Sequence, residues 1–476
     1  MAKCWARGYH CWVDRIRATD VFTPTTPAKF AFVERQALND QLVDALRTPG
    51  KQVVVYGPSG SGKTTLLVNK LEQLYPDHIT TRCTVATTFE SLLLNAFDSL
   101  NVYYSSAASI KKSRSISAKL ETDYLGIKTA IEAAASSEVQ LSLSRILPPQ
   151  LTAQRLAEFC GAAGCCWVLE DFHKVPQIEK AKVAQVMKVF MDTAADFRDV
   201  KVVAIGAVDS AREVIQYDPE MRNRVAEIAV PLMTEGELDE LLRKGESLLR
   251  IRLGNLRHEL AKYSSGLAAV CHQLGLNICF AAGVEQTCTD ILIIESAQFR
   301  RGLERYLSDA SDTLKAVFEL AMKQQRMRSF DNSRLILRAL AGLGDSGGTH
   351  AEILKVVREV EAKYPASNLT AYLRELQSSK RGEILRFNPG SGRYFFSDPL
   401  YLAYTQCLLV PPKDSKGQRT LRLMDFDFDI SQMTKAGTVF IQMKHFVSPT
   451  KTPKAKDNKD NIVDAEFVDV DDKNSS

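Results

Sequence analysis

The 476-residue sequence contains no apolar run long enough to cross a bilayer as a helix, so no membrane partner is expected. It contains no C-x-x-C pair and no Cys/His cluster at zinc spacing. Its ten cysteines are scattered, which argues against a structural zinc site and suits a reducing, cytoplasmic setting. Cys165 and Cys166 are adjacent in an apolar stretch, where cysteine acts as a small hydrophobe. It has little charge excess. A net charge of +4 does not by itself point to nucleic acid or to an acidic membrane surface. Residues 1–15 carry charge and histidine among their apolar residues and lack the clean apolar stretch of a secretory signal. With 45% hydrophobic and 25% charged residues the composition is that of a soluble globular chain, too long for one core.

What the sequence does contain is Gly57-Pro58-Ser59-Gly60-Ser61-Gly62-Lys63-Thr64, a G-x-x-x-x-G-K-[ST] phosphate loop without mismatch. A β-branched run, Lys51 to Tyr56, leads into it, and an amphipathic helix beginning at Thr65 leaves it. Glycines let successive N–H groups turn inward and form an anion nest at a helix N-terminus. The pattern implies bound ATP with Mg²⁺, with Lys63 on the β- and γ-phosphates and the Thr64 hydroxyl on the metal. Just upstream, Phe32, Val33 and Arg35 precede a helix over Gln36 to Leu46 and are candidates to pack over the base.

Downstream, Cys165-Cys166-Trp167-Val168-Leu169-Glu170-Asp171 is an apolar strand ending in two carboxylates, the Walker B pattern. One carboxylate would hold Mg²⁺ and its neighbour would orient or deprotonate the attacking water; either residue suits either role. His173 follows directly. A further buried strand, Val200 to Gly206, ends at Ala207 where a polar γ-phosphate sensor is expected, which leaves Asp209 or Ser210 for that task. Arg222 and Arg224 precede the strand Val225 to Val230. Arginines there can reach the nucleotide of a neighbouring subunit, with Arg224 the first choice. Strands alternating with helices predict a parallel α/β sheet covered on both faces. Pro231 to Ala282 then reads as helical, with Thr234 and Glu237 at capping-box spacing.

This ordered set, with a helical segment opening Pro231-Leu232-Met233-Thr234-Glu235-Gly236-Glu237-Leu238, resembles the AAA+ ATPases. It is most similar to their origin-initiator and transposition-helper branch and to the related STAND signalling ATPases. The resemblance covers about residues 20–410 and implies an α/β P-loop NTPase core, a helical lid and a winged-helix domain. Members with a lid sensor carry an arginine shortly after the glycine of a Ser-Gly-Leu stretch. Here Gly266 leads into Leu267-Ala268-Ala269-Val270-Cys271-His272 with no arginine, which implies slow hydrolysis and a switch unless His272 substitutes.

The expected organisation is a lead-in over 1–28, an ATPase core over 29–232 with an exposed insertion at about 101–147, a lid over 233–300, and a winged-helix domain over 301–412. A small β-like extension over 413–447 and an acidic tail over 448–476 follow. In the winged-helix segment, Asn368 to Ser378 would be the groove helix, with Asn368, Thr370 and Arg374 outward and Arg386 and Arg393 on phosphates. Basic residues exceed acidic ones only slightly there, weak for a dedicated DNA module. The segment Ile462 to Val470 is similar to the acidic tail of Hsp70-type bacterial chaperones, which suggests a bacterial source and a docking peptide. Two outputs compete: action on double-stranded DNA through the winged helix, or signalling and antiviral-defence control of a separate effector protein. Both expect a homo-oligomer.

Overall fold

The computed structural model describes residues 15–75, 77–100, 103–105, 143–145, 152–214, 219–323 and 330–410. One compact unit, residues 1–423, contains them all. Most of the expected insertion, with Lys111, Lys112, Arg114 and Lys119, lies outside the described residues, as do the extension and the acidic tail.

The core is a five-stranded sheet of β1 (Gln52–Tyr56), β2 (His78–Arg82), β5 (Cys166–Glu170), β6 (Lys201–Gly206) and β7 (Val225–Ala229). All pairings are parallel and the order is β2-β5-β6-β1-β7. Between β2 and β5 in sequence, β3 (Tyr103–Ser105) pairs antiparallel with β4 (Leu143–Arg145). The central strands are apolar on both faces because helices cover both. Val54, Trp167, Leu169, Val202 and Ala204 face one layer, and Val53, Val55, Val168, Val203 and Ile205 face the other. The first layer is closed by helices α3 (Phe89–Ser99), α4 (Ala153–Ala162) and α5 (Gln177–Thr193). The second is closed by α1 (Gln36–Arg47) and α2 (Lys63–Leu74). Trp167 is fully buried, and its indole N–H donates to Thr81 Oγ1 at 3.0 Å, so the large ring leaves no orphan donor.

After β7 the chain becomes helical: α6 (Glu235–Leu249), α7 (Leu256–Tyr263), α8 (Ala268–Ala281) and α9 (Ser296–Ser308), with the short strands β8 (Ile251–Arg252) and β9 (Leu292–Ile293) paired parallel. The capping box expected at Thr234 and Glu237 is present. A boundary at 300/301 would fall inside α9, which packs closely along α8: a Cβ on Gly302 would lie 2.5 Å from Ile278. Next come α10 (Asp312–Met322), α11 (Asn332–Leu343), β10 (Gly348–Thr349), α12 (His350–Val360), α13 (Ala366–Glu375), β11 (Leu385–Asn388) and β12 (Arg393–Phe396). β10, β12 and β11 form an antiparallel sheet, so helix, strand, two helices and a hairpin follow in winged-helix order. A last helix, α14 (Pro399–Leu409), is capped by Asp398 and buried from Leu402 to Leu409. No helix among the described residues is long and apolar enough to cross a membrane.

The segment before α1 ties lid to core. Arg17 bridges to Gln286, and Ala18 N donates to Glu285 O at 2.8 Å. Phe22, 1% exposed, sits between α6 and α8. It fits only because a glycine faces it on each helix. A Cβ on Gly245 would lie 2.4 Å from the ring, and one on Gly275 2.8 Å. Phe22→Ala should therefore cost about 3–5 kcal/mol. Chemical denaturation followed by helix signal would check this; an unchanged midpoint would show that the ring does not clamp the two helices.

Candidate functional site

Parallel sheets present their loops at the carboxyl ends of the strands, and there open α/β folds bind ligands. At that edge lies a cleft of about 820 Å³, lined by the phosphate loop, residues 23–28, Arg82, Glu170, Asp171, Ala207 and lid residues including Ala269 and His272. The loop closes β1 onto the N-terminus of α2, with Gly62 as its N-cap at φ 90°. Gly57, at φ 146°, passes so near β7 that a Cβ would stand 2.2 Å from Val230 O, so no other residue fits there. Lys63 is buried, and its amine donates to Gly57 O at 2.9 Å and Pro58 O at 2.6 Å, folded back over the loop. Ser61 Oγ is buried in the loop without a hydrogen-bond partner. Ser59, Gly60, Thr64 and Thr65 line the same cleft. Thr65 Oγ1 also accepts from Ala28 N at 3.4 Å.

Glu170 ends β5 beside Arg82, the last residue of β2, and the two pair at 3.4 Å. Arg82 was not expected to belong to this site. Its signal is that two parallel strands ending at one edge set their final residues side by side. Asp171 takes the left-handed conformation at φ 54° and pairs with Lys174 at 2.7 Å. Its side chain is 52% exposed against 23% for Glu170, and its charge acts on Lys63. His173 stands outside the cleft lining: its Nδ1 accepts from Ala207 N at 3.2 Å and so joins the acidic loop to the end of β6. Ala207 lines the cleft. Asp209 is exposed and outside the lining, and Ser210 Oγ donates to Glu213 at 3.0 Å.

Arg35 lines the cleft, yet its guanidinium is engaged on Pro231 O at 2.9 Å, Leu232 O at 3.3 Å and Glu237 at 3.0 Å. It braces the start of the lid rather than presenting a free fork. The lid itself touches the loop: Ala269 N donates to Gly60 O at 3.3 Å. His272 is buried, its Nδ1 accepts from Thr23 N at 3.2 Å, and burial pushes its pKa down to about 4. A ring that accepts at Nδ1 and titrates near pH 4 is neutral at pH 7, so it does not replace an arginine as a cation.

Arg222 and Arg224 precede β7, at the amino ends of the strands, with Arg224 bound to Asp192 at 3.1 Å. A five-residue strand spans about 16 Å, so neither can serve the phosphate loop of its own chain. In the winged-helix unit Arg374 and Arg386 are exposed. Asn368 is not outward: its amide donates to Asn332 Oδ1 at 3.2 Å. Thr370 bonds His350 at 3.0 Å. Arg393 is held by Glu352 at 3.0 Å and by the carbonyls of Ser346 and Gly347.

The donor set fits a polyphosphate with a hard cation. Glycine cradle, buried lysine and orphan hydroxyl suit phosphate oxygens. Thr64, Glu170 and Asp171 offer oxygen ligands that Mg²⁺ accepts when phosphates complete its shell. Among the described residues no group of three His, Cys, Asp or Glu side chains could hold a metal ion alone. Burial lowers the Lys63 pKa to about 8, with Asp171 opposing. Phosphate oxygens against the amine would raise it again. Below pH 8 the amine is already charged, and affinity for a polyphosphate should be flat. Above pH 8 the empty site has lost a proton that the filled site retains, so affinity should fall by up to about tenfold per pH unit. Calorimetric titration with ATP from about pH 6.5 to 9.5 checks the sign, and affinity rising above pH 8 would contradict it.

No protein-family model and no curated protein matches the sequence. Solved structures do resemble the fold. A Walker-type ATPase of Pyrococcus abyssi is 16% identical, with 79% of this chain and 96% of that one covered and a TM-score of 0.44. Cdc6p of Pyrobaculum aerophilum is 15% identical over 83% and 98%, with a TM-score of 0.42. A STAND protein with a tetratricopeptide repeat sensor, from Pyrococcus horikoshii, is 15% identical over 80% of this chain and 43% of its own, at 0.34.

Proposed function

We propose that the chain is an ATP-driven switch that binds ATP with Mg²⁺, hydrolyses it slowly and works as a homo-oligomer. The observation that carries this is the phosphate loop facing two carboxylates at one sheet edge, with the lid hydrogen-bonded to the loop. In this reading Lys63 and the loop N–H groups hold the phosphates. Thr64 and Asp171 hold the cation, because Asp171 is the carboxylate whose charge Lys63 feels. Glu170, at the strand end beside Arg82, orients the attacking water. Bound Mg²⁺ supplies charge neutralisation at the β- and γ-oxygens. The lid offers no cation to developing charge, since Met233, Leu241, Ala268, Ala269 and His272 are its contributions to the cleft. Arg224, with Arg222 second, would complete the site of an adjacent copy.

Lys63→Ala should abolish nucleotide binding or turnover. Glu170→Gln should slow turnover about a hundredfold or more with binding retained, whereas Asp171→Asn should raise the Mg²⁺ concentration needed. Arg224→Ala should be inactive alone, and mixing it with Lys63→Ala should restore activity at hybrid sites. Steady-state phosphate release reads all four, and a mixture no more active than its parts would remove the shared site.

For the output, action on double-stranded DNA is supported by exposed Arg374 and Arg386. Control of a separate effector protein is supported by the internal engagement of Asn368 and Arg393. Fluorescence anisotropy with labelled duplex, with ATP, with ADP and without nucleotide at two salt concentrations, separates them. ATP-dependent binding with a steep salt slope selects DNA. Absence of binding with turnover intact selects the effector.

A further inference from the structure

Residues 23–28, Thr-Pro-Thr-Thr-Pro-Ala, cross the cleft as a strap anchored at both ends. At one end Thr23 N donates to His272 Nδ1 on the lid helix α8 at 3.2 Å. At the other, Ala28 N donates to Thr65 Oγ1 at 3.4 Å, and Asn69 donates to Ala28 O at 3.1 Å, both on the phosphate-loop helix α2. The strap bends over residues 24–26, and Pro24 and Pro27 fix φ at the start of that bend and just after it. All of it lines the cleft.

Two polar atoms of this crossing have no partner. Thr23 Oγ1 is buried without a hydrogen bond. The His272 ring accepts at Nδ1, so its proton is on Nε2, and that donor makes no hydrogen bond among the described residues although the residue lines the cleft. A buried hydroxyl left in this way costs stability unless a ligand meets it. The cleft has a phosphate end, at Lys63, Thr64 and Asp171. It also has apolar lining, from Ala31, Val33, Leu38, Val230, Met233 and Leu241. A nucleotide is polyanionic at one end, flat and apolar at the other, and joined by a sugar whose hydroxyls need polar partners.

We propose that Thr23 and His272 form a sugar-reading subsite that favours a ribonucleoside triphosphate over its deoxy counterparts. The proposal rests on the nucleotide reading of the cleft. The strap supplies a hydroxyl that both donates and accepts, and the lid supplies a neutral N–H donor. Because these groups come from separate elements pinned together by the Thr23–His272 bond, the subsite is complete only when the strap is seated on the lid.

The test is calorimetric titration of the full chain with ATP, 2′-deoxyATP and 3′-deoxyATP in Mg²⁺. At least one deoxy analogue should bind about tenfold more weakly than ATP, as expected when a buried polar group loses its partner. Thr23→Val keeps the backbone N–H and removes the hydroxyl. His272→Leu removes the donor. Each should bring the ratio to within about twofold, while Thr23→Ser and His272→Gln should retain most of it. The ratio of ATP to ADP affinity should stay the same in all four, because the phosphate end is untouched; a general loosening of the cleft would move both ratios. Equal binding of ATP and both deoxy analogues to the parent protein overturns the subsite while leaving the nucleotide site standing. So does discrimination that survives both Thr23→Val and His272→Leu. Failure of the parent protein to bind any of the three overturns the nucleotide reading itself, and the subsite with it.

Discussion

The lid meets the phosphate loop through one backbone hydrogen bond, from Ala269 N to Gly60 O, and most of the site depends on that seat. Leu267 and Ala269 pack against Gly60, within 3.4 and 3.5 Å of where its Cβ would stand. The turn that delivers them is pinned by Met233 N donating to Gly266 O at 2.8 Å. Met233 belongs to the stretch that Arg35 braces from the core side. The loop carbonyls are thus shared among lid, lysine and solvent. Phosphate oxygens entering the nest would compete for the Lys63 amine, now held by Gly57 O and Pro58 O. Loop, lysine and lid therefore cannot change independently.

The same turn faces the opposite way as well. Ser265 Oγ donates to Gln406 Oε1 at 3.1 Å, and the amide of Gln406 donates to Ala341 O on α11 at 3.1 Å. Tyr263 OH donates to Val410 O at 2.8 Å. Helix α14 therefore lies between the lid bundle and the winged-helix unit, with a buried glutamine satisfied on both sides. Apolar packing would tolerate a slip of that helix. A buried amide with one partner in each unit does not, because a shift leaves donor or acceptor orphaned in a dry interface. From Gly60 through residues 265–269 to α11 the contacts are continuous, so displacement of the lid at the phosphate loop bears directly on the winged-helix unit.

The phosphate loop, the acidic strand and the capping box at Thr234 are readable in sequence because each is local: the chemistry lies within eight consecutive residues or fewer. What depends on packing was not readable. Helix α14 has apolar residues all round, so it lacks the period that marks an amphipathic helix. Asn368 follows the helical spacing of an outward residue, but the start of α13 lies against Asn332, which takes its amide. Arg35 sits where a base contact is plausible, and only the path of residues 231–237 reveals its three other partners. Arg222 and Arg224 were legible as a pair. That they lie at the sheet edge opposite their own loop follows from the parallel pairing of β1 and β7, which the expected parallel sheet already implied.

A lid that lines the cleft with His272 and no arginine or lysine differs from one with an arginine there in more than one contact. An arginine would bring a permanent charge to a site where negative charge spreads as a phosphoryl group departs, and such interactions accelerate because they strengthen in the transition state. A neutral imidazole held by a backbone N–H offers a dipole of fixed direction. Its interaction changes little between ground and transition states, so it contributes to binding and hardly to rate. In the proposed reading, cationic stabilisation would then come from Lys63, which also binds the ground state, or from an arginine of another copy. In the proposed reading, a chain built this way would hold its nucleotide until a neighbour arrives, and assembly rather than chemistry within one subunit would set when the nucleotide is lost.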